Sequence, residues 1–328
     1  MQLEHYLKKN AKFVDCEVTK WHDILKKWDG HEEIHGAALI GVPLSKPSIS
    51  HSGACFAPKT IRAMLDAYST YAVEKEHDMK ESVLYDCGDI EMHVTNIQES
   101  HERIKRTMET ITKQSPHMVP IVLGGDHSIS FPSIAGFAKS KEKIGIIQFD
   151  AHHDLRNLQD GGPSNGTPFR NLLESNVVRG EQLIQIGIRD FSNAQAYHDY
   201  AKEQGVTVYT MDHVWERSIK DIIRDCVETL RKQGVTNIYV SLDMDVLDQA
   251  FAPGCPAIGP GGMDSITLMR AIEELGKEPL VSAMDIVEID PTLDFRDMTS
   301  RVAAQVIMKF LLAREIMIKS KNSQAINL

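Results

Sequence analysis

The chain reads as one α/β domain built on a parallel sheet with helices on both faces. Three observations predict it. Short β-rich runs alternate with helical stretches from one end to the other. Most of those runs are continuously apolar, as strands buried on both faces are. Gly/Pro-rich loops follow directly on several of them, where ligands gather in folds of this class. Strand, helix, strand repeated this way requires right-handed crossovers between parallel strands. The pattern alone leaves both an open sheet and an eight-unit barrel standing.

The candidate strands, in order, are 36–43, 82–88, 118–125, 143–150, 182–188, 206–210, 237–245 and 280–290, eight in all. Helical spacing covers, among others, 57–67, 97–112, 192–204, 218–232 and 264–275, with a closing helix from 298 to about 318. Loops at 124–128, 161–168 and 252–262 follow strands. No repeat, low-complexity segment or Pro/Ser linker marks a boundary. Residues 1–328 are therefore read as a single domain, with 1–33 an N-terminal extension packing on it.

Composition excludes several classes. Of 328 residues, 42% are hydrophobic and 25% charged, close to the globular average, so neither a disordered nor a collagen-like chain fits. With 36 Lys+Arg against 46 Asp+Glu the net charge is −10, which argues against a nucleic-acid binder. The start, MQLEHYLKKNAKFVDCEV, has no apolar core of a signal peptide, and no run approaches the length of a membrane span. Five scattered cysteines without a CxxC pair point away from disulfides and thiolate zinc. A cytoplasmic location is expected.

Three strand ends carry the chemistry. The third candidate strand ends in GGDHS, with Asp126 and His127; the fourth runs into DAHHD, with Asp150, His152, His153 and Asp154; the seventh ends in SLDMD, with Asp243 and Asp245. In extended chain, alternation places Asp150, His152 and Asp154 on one side and His153 on the other, and puts Asp243 and Asp245 together. A lone DxD after a strand is often a helix or turn cap. Three such ends together instead present two imidazoles and four carboxylates: His127, Asp150, His152, Asp154, Asp243 and Asp245. That set, with no thiolate, suits a pair of divalent ions such as Mn²⁺. Cations would also offset four carboxylates that otherwise repel.

These segments, in this order, resemble the signatures of the ureohydrolase superfamily of arginase, agmatinase and formimidoylglutamase. The likeness runs from GVPLSKPSISHSGACFAPKTIR (41–62), through SLDMDVLDQAFAPGCPAIGPGG, to DIVEIDPTLDFRDMTSRVAA (285–304). FDAHHDLRN, GGPSNGTPFRNLL and the DPTLDFRDMTSR ending are most similar to the bacterial formimidoylglutamases of histidine degradation. The resemblance implies a three-layer αβα arginase/deacetylase-like fold with an eight-stranded parallel sheet, and so an open sheet over a barrel. It implies two Mn²⁺ per subunit, one on His127, Asp150, Asp154 and Asp243 and the other on His152, Asp150, Asp243 and Asp245, with Asp150 and Asp243 bridging. Asp126 is then structural. A metal-bridging hydroxide would attack the amidine carbon, Asp154 would carry the proton to the leaving amine, and Glu288 would face the cationic amidine.

Asn165 in SNGTPF departs from arginases and agmatinases, which usually carry a histidine near this point, and asparagine cannot do acid-base work. Formimidoylglutamases resemble the chain here. N-formimino-L-glutamate bears two carboxylates, so cationic donors are needed, and Arg156, Arg170 and Arg189 are the candidates. The expected reaction gives L-glutamate and formamide; agmatine or arginine hydrolysis to urea, and a metal-binding homologue without catalysis, are the alternatives. Cys255 has no partner base and reads as a small loop residue. The resemblance also implies a homo-oligomer, trimer or hexamer, acting on a small molecule.

Overall fold

The computed structural model describes residues 15–326, with side chains described as far as Lys321. The first fourteen residues of the expected 1–33 extension lie outside the described residues. The order opens with β1 (Leu25–Lys27), β2 (Gly36–Gly41), α1 (Ala57–Leu65), a short antiparallel pair β3 (Tyr71–Ala72) and β4 (His77–Asp78), and β5 (Leu84–Asp89). It continues with α2 (Ile97–Gln114), β6 (Met118–Leu123), α3 (Ser130–Ala138), β7 (Ile144–Phe149), α4 (Pro168–Glu174), β8 (Leu183–Ile188) and α5 (Gln195–Gln204). Then come β9 (Thr207–Thr210), α6 (Met211–Glu216), α7 (Ile219–Lys232), β10 (Asn237–Asp243), α8 (Ser265–Lys277), β11 (Val281–Val287) and α9 (Met298–Ile326).

Among the described residues nine strands form one sheet in the order β1-β5-β2-β6-β11-β10-β7-β8-β9, and every pairing in it is parallel. This corrects the expected eight strands. The additional strand, β1, is the three-residue run LKK at the sheet edge, with two exposed lysines. Such a strand carries no apolar run, and charge on an edge strand deters pairing with another chain.

Alternation along the strands divides the core. Ile147 and Phe149 of β7, Val240 and Leu242 of β10, and Leu39 of β2 face a layer holding α1, α7, α8 and α9. Ile144 and Ile146 of β7 and Tyr239 of β10 face α3 and α4, while Ala38 and Ile40 of β2 face α2. Side chains on successive residues point to opposite faces, so a fully buried strand must be apolar at nearly every position. The helices follow their own signals. Asn96 caps α2 by accepting from the Glu99 amide at 3.0 Å, and Asp264 caps α8 from the Thr267 amide at 2.8 Å. Gly205, at φ 78°, ends α5 in the left-handed conformation that glycine adopts freely.

The four central strands, β6, β11, β10 and β7, are neighbours in space though far apart in sequence. Register levels their ends: Leu242 pairs with Phe149 and Asp243 with Val287. Their carboxyl ends therefore open side by side.

The turn after β6 depends on a close backbone approach. The Gly125 amide donates to Val42 O at 3.0 Å and its carbonyl accepts from the Glu288 amide at 3.0 Å. A Cβ at Gly125 would lie 1.8 Å from the Leu44 carbonyl oxygen. Gly125→Ala must therefore push two backbone segments apart. The expected result is a loss of about 3 kcal/mol in chemical denaturation; an unchanged denaturation midpoint would contradict this packing.

Candidate metal centre and cleft

His127 opens a short 3₁₀ turn after β6, and the residue before it, Asp126, caps the turn by accepting from the Ser128 amide at 2.9 Å. Asp126 is fully buried and acts as this cap. Asp150 follows β7 directly and Asp243 ends β10. Glu288 follows β11, and both it (φ 59°) and Asp154 (φ 49°) hold left-handed backbone. For residues with a Cβ that conformation costs roughly 1–2 kcal/mol and clusters where function requires it.

The structure brings all six predicted donors together in two groups. His127 Nδ1 lies 2.8 Å from Asp154 Oδ2, 3.0 Å from Asp243 Oδ2 and 3.2 Å from Asp150 Oδ2. His152 Nδ1 lies 2.9 Å from Asp245 Oδ2 and 3.3 Å from Asp150 Oδ1. Asp150 thus turns one oxygen to each group. Asp243, expected in both, is grouped with the first set alone, and its Oδ1 accepts from the Asp245 amide at 2.8 Å.

One imidazole tests whether a metal fits. His127 Nε2 lies 3.1 Å from Ser241 Oγ, and that hydroxyl donates to Asp285 Oδ1 at 2.8 Å. Ser241 must then accept from His127 Nε2–H, which leaves a bare lone pair on neutral Nδ1. That buried atom has no well-aligned hydrogen-bond partner, yet three carboxylates surround it. A lone pair among carboxylate oxygens is a place for a cation, and its second nitrogen is held as metal-binding imidazoles usually are. Two imidazoles and four carboxylates fit hard-to-borderline divalent ions.

Beside the cluster opens a cavity of about 360 Å³, within the range of small-ligand sites. His152, Asp154, Asp243, Asp245 and Glu288 line it, together with Arg156 and Asn165. Glu288 Oε1 accepts from the His127 amide at 2.8 Å and from Asn165 Nδ2 at 3.2 Å. Asn165 Oδ1 in turn accepts from the Ile49 amide at 3.0 Å. Arg156 lays its guanidinium over the Tyr197 ring at 5.8 Å.

The other two arginines stand elsewhere. Arg170 pairs with Glu174 and stacks 3.5 Å from the Tyr200 ring. Arg189 is buried and donates to the carbonyls of Gly259, Pro260 and Asp245, tying the 252–262 loop to a cluster residue. Neither is among the residues lining the cavity, which leaves Arg156 there of the three candidates. Tyr197, Asn193 and Ser50 line it and were not anticipated. Ser50 lies within the resembling 41–62 segment, whereas nothing in the pattern of α5 distinguishes Tyr197. Cys255 is buried, burial pushes its thiol pKa well up, and all five cysteines are unpaired.

A family model of the arginase family matches residues 35–313. The chain belongs to the arginase family. It is 61% identical over 304 residues to formimidoylglutamase of Halalkalibacterium halodurans, covering 93% of this chain and 95% of that protein. The crystal structure of formimidoylglutamase from Bacillus subtilis superposes with a TM-score of 0.91 at 49% identity, covering 95% of this chain and 97% of that one. Trypanosoma cruzi formiminoglutamase with Mn²⁺ shares the fold, with a TM-score of 0.81 at 23% identity over 90% of this chain and 98% of that one. Membership accounts for the architecture: the sheet is the open parallel sheet of the arginase fold. Among the described residues no helix is long and apolar enough to cross a membrane.

Without a cation the cluster must hold protons. Burial holds Asp154 up to about 6 and Glu288 up to about 8. The Asp245 carboxylate pushes His152 up to about 12; for His127 burial opposes charge, but Asp154, Asp150 and Asp243 outweigh it and raise it well above its usual value. Glu288 and both histidines therefore stay protonated in the folded metal-free chain at pH values where the unfolded chain has released those protons. Stability must fall as pH rises from about 7 to 8 and beyond, by roughly 1.4 kcal/mol per pH unit for each extra proton held. Thermal midpoints of chelator-treated protein should drop across this window, and those of Mn²⁺-loaded protein should not. Calorimetry in buffers of differing ionisation enthalpy should show proton release on Mn²⁺ binding; binding without proton release would overturn this account.

Proposed function

We propose that this chain hydrolyses N-formimino-L-glutamate to L-glutamate and formamide, with His127, Asp150, His152, Asp154, Asp243 and Asp245 holding two Mn²⁺. The observation that carries the reading is the six-donor cluster opening into one cavity with Glu288 and Asn165. The near full-length identity to the Halalkalibacterium formimidoylglutamase supports the substrate. Bound there, the metal pair would neutralise the carboxylates and make water acidic enough to yield a nucleophile near neutral pH.

The side chains supply the rest. Glu288, anchored through Oε1, presents a carboxyl that gains by ionising opposite the planar amidinium, because the substrate's charge offsets the burial that otherwise keeps it protonated. Asn165 holds that carboxyl and cannot exchange a proton. Asp154 takes the proton of the attacking water and returns it to the glutamate nitrogen as the C–N bond breaks. The carbon keeps its other nitrogen and the water oxygen, whose remaining proton passes to the departing amine, and leaves as formamide. Arg156, which lines the cavity, grips a substrate carboxylate. The chain acts as one domain in a cytoplasmic homo-oligomer, without nucleic acid or membrane.

Purified Mn²⁺-loaded protein offered formiminoglutamate, agmatine and arginine separately should release glutamate and formamide from the first alone. Urea from either of the others would sink the substrate assignment. Asp154→Asn should lower kcat by about 10²–10⁴. Arg156→Ala should raise KM about tenfold or more while kcat stays within about threefold; an unchanged KM would remove Arg156 from the substrate site.

A further inference from the structure

A buried line of side chains leads away from the cluster and takes no part in the steps above. Gln148 Nε2 donates to Asp150 Oδ2 at 2.7 Å and to the His152 carbonyl at 3.2 Å. Its Oε1 accepts from Gln185 Nε2 at 2.6 Å, and the same amide donates to the His153 carbonyl at 2.8 Å. Gln185 Oε1 lies 2.6 Å from His153 Nδ1, and His153 Nε2 lies 3.1 Å from His198 Nδ1. Gln148, Gln185 and His153 are buried, whereas His198, on α5, is half-buried.

The carboxylate at one end dictates the direction of every link. Ionised Asp150 can only accept, so Gln148 must turn its NH₂ toward it and its carbonyl toward Gln185. Gln185 must then donate with its NH₂, which leaves its carbonyl to accept from His153 Nδ1–H. His153 Nε2 is left bare and takes the Nδ1–H of His198. Four hydrogen bonds run head to tail, and such chains strengthen one another in a low-dielectric interior.

We propose that this relay is a positioning device for the metal centre: His198, His153, Gln185 and Gln148 aim the Asp150 carboxylate and so set the affinity for the ions it would hold. The proposal rests on the reading of Asp150 as a ligand. A network that only satisfied buried polar groups could close on itself; this one begins at a half-buried residue of α5. The segment leading into α5 also lines the cavity through Ser192, Asn193 and Ala194. Asn193 fastens it to the ligand segment, accepting from the His153 amide at 2.8 Å and donating to the Ala151 carbonyl at 3.0 Å. The wall of the cleft and the orientation of Asp150 are thereby joined.

The test uses the full-length protein and Mn²⁺ alone, with free Mn²⁺ followed by electron paramagnetic resonance. His198→Leu removes the last donor at a half-buried position, whereas the side-chain amide of His198→Asn can occupy the place of Nδ1. His198→Leu and Gln185→Met should each weaken binding of at least one ion about tenfold or more, with His198→Asn restoring it to within about twofold of the parent. Parental affinity in both His198→Leu and Gln185→Met, beside loss of binding in Asp150→Asn, would overturn the relay alone. Parental affinity in Asp150→Asn would overturn the ligand reading and the relay with it. Should Gln185→Met fail to fold, the two His198 variants decide: equal affinities overturn the relay and the expected split supports it.

Discussion

Four carboxylates brought within reach of two imidazoles are the constraint around which the rest of the molecule is arranged. Like charges at this separation repel unless cations or protons intervene, and nothing in an apolar interior screens them. Holding them there takes a rigid support, and the four central strands provide it by ending side by side. The features nearest the cluster read as consequences. Glycine at 125 lets two backbones touch, Arg189 ties the glycine-rich loop to Asp245, and Ser241 with Asp285 orients the His127 ring. Asp154 and Glu288 accept left-handed backbone so that their carboxyl groups face inward.

Much of this architecture was legible because buried parallel strands leave a strong trace. All eight candidate runs became strands of the central sheet, and six of them, all but β5 and β9, are buried on both faces and so needed apolar residues at nearly every position. What escaped had no such trace. β1 is three residues with two lysines, held by pairing to β5 rather than by its own composition. α3, with the sequence SFPSIAGFA, contains proline, glycine and serine and is buried on nearly every side, so it shows no amphipathic period. Packing against α2 makes it helical, and Gly136 there comes close to the Lys105 carbonyl.

The cluster was readable for a related reason. Five of its donors sit two or four residues apart just past β7 and at the end of β10, a spacing that alternation reads as one side, although Asp154 at φ 49° and the turn holding Asp245 are not extended chain. His153 illustrates the rule: it points away from the cluster to Gln185 and His198. The rest of the cleft lining was not readable in the same way. An arginine two residues from Asp154 and one that follows a strand look alike in sequence, yet Arg156 reaches the cavity and Arg189 is consumed by backbone carbonyls. Which arginine is free depends on loops whose course no periodicity encodes.

The interleaved strand order also constrains the birth of the molecule. The amide of His127 is joined to the carboxyl of Glu288 across 161 residues, and β11 inserts between β6 and β10, which leave the ribosome before it. Contacts of such long sequence separation form slowly, because loop closure precedes its reward. A nascent chain that has exposed His127, the 150–154 segment and Asp243 therefore carries nearly all the donors without the central strand that aligns them. Folding of the sheet must await emergence of β11, and until then the cluster carboxylates remain spread along an open chain. Capture of the proposed metal pair would then belong to the end of synthesis, as the step that locks a finished sheet.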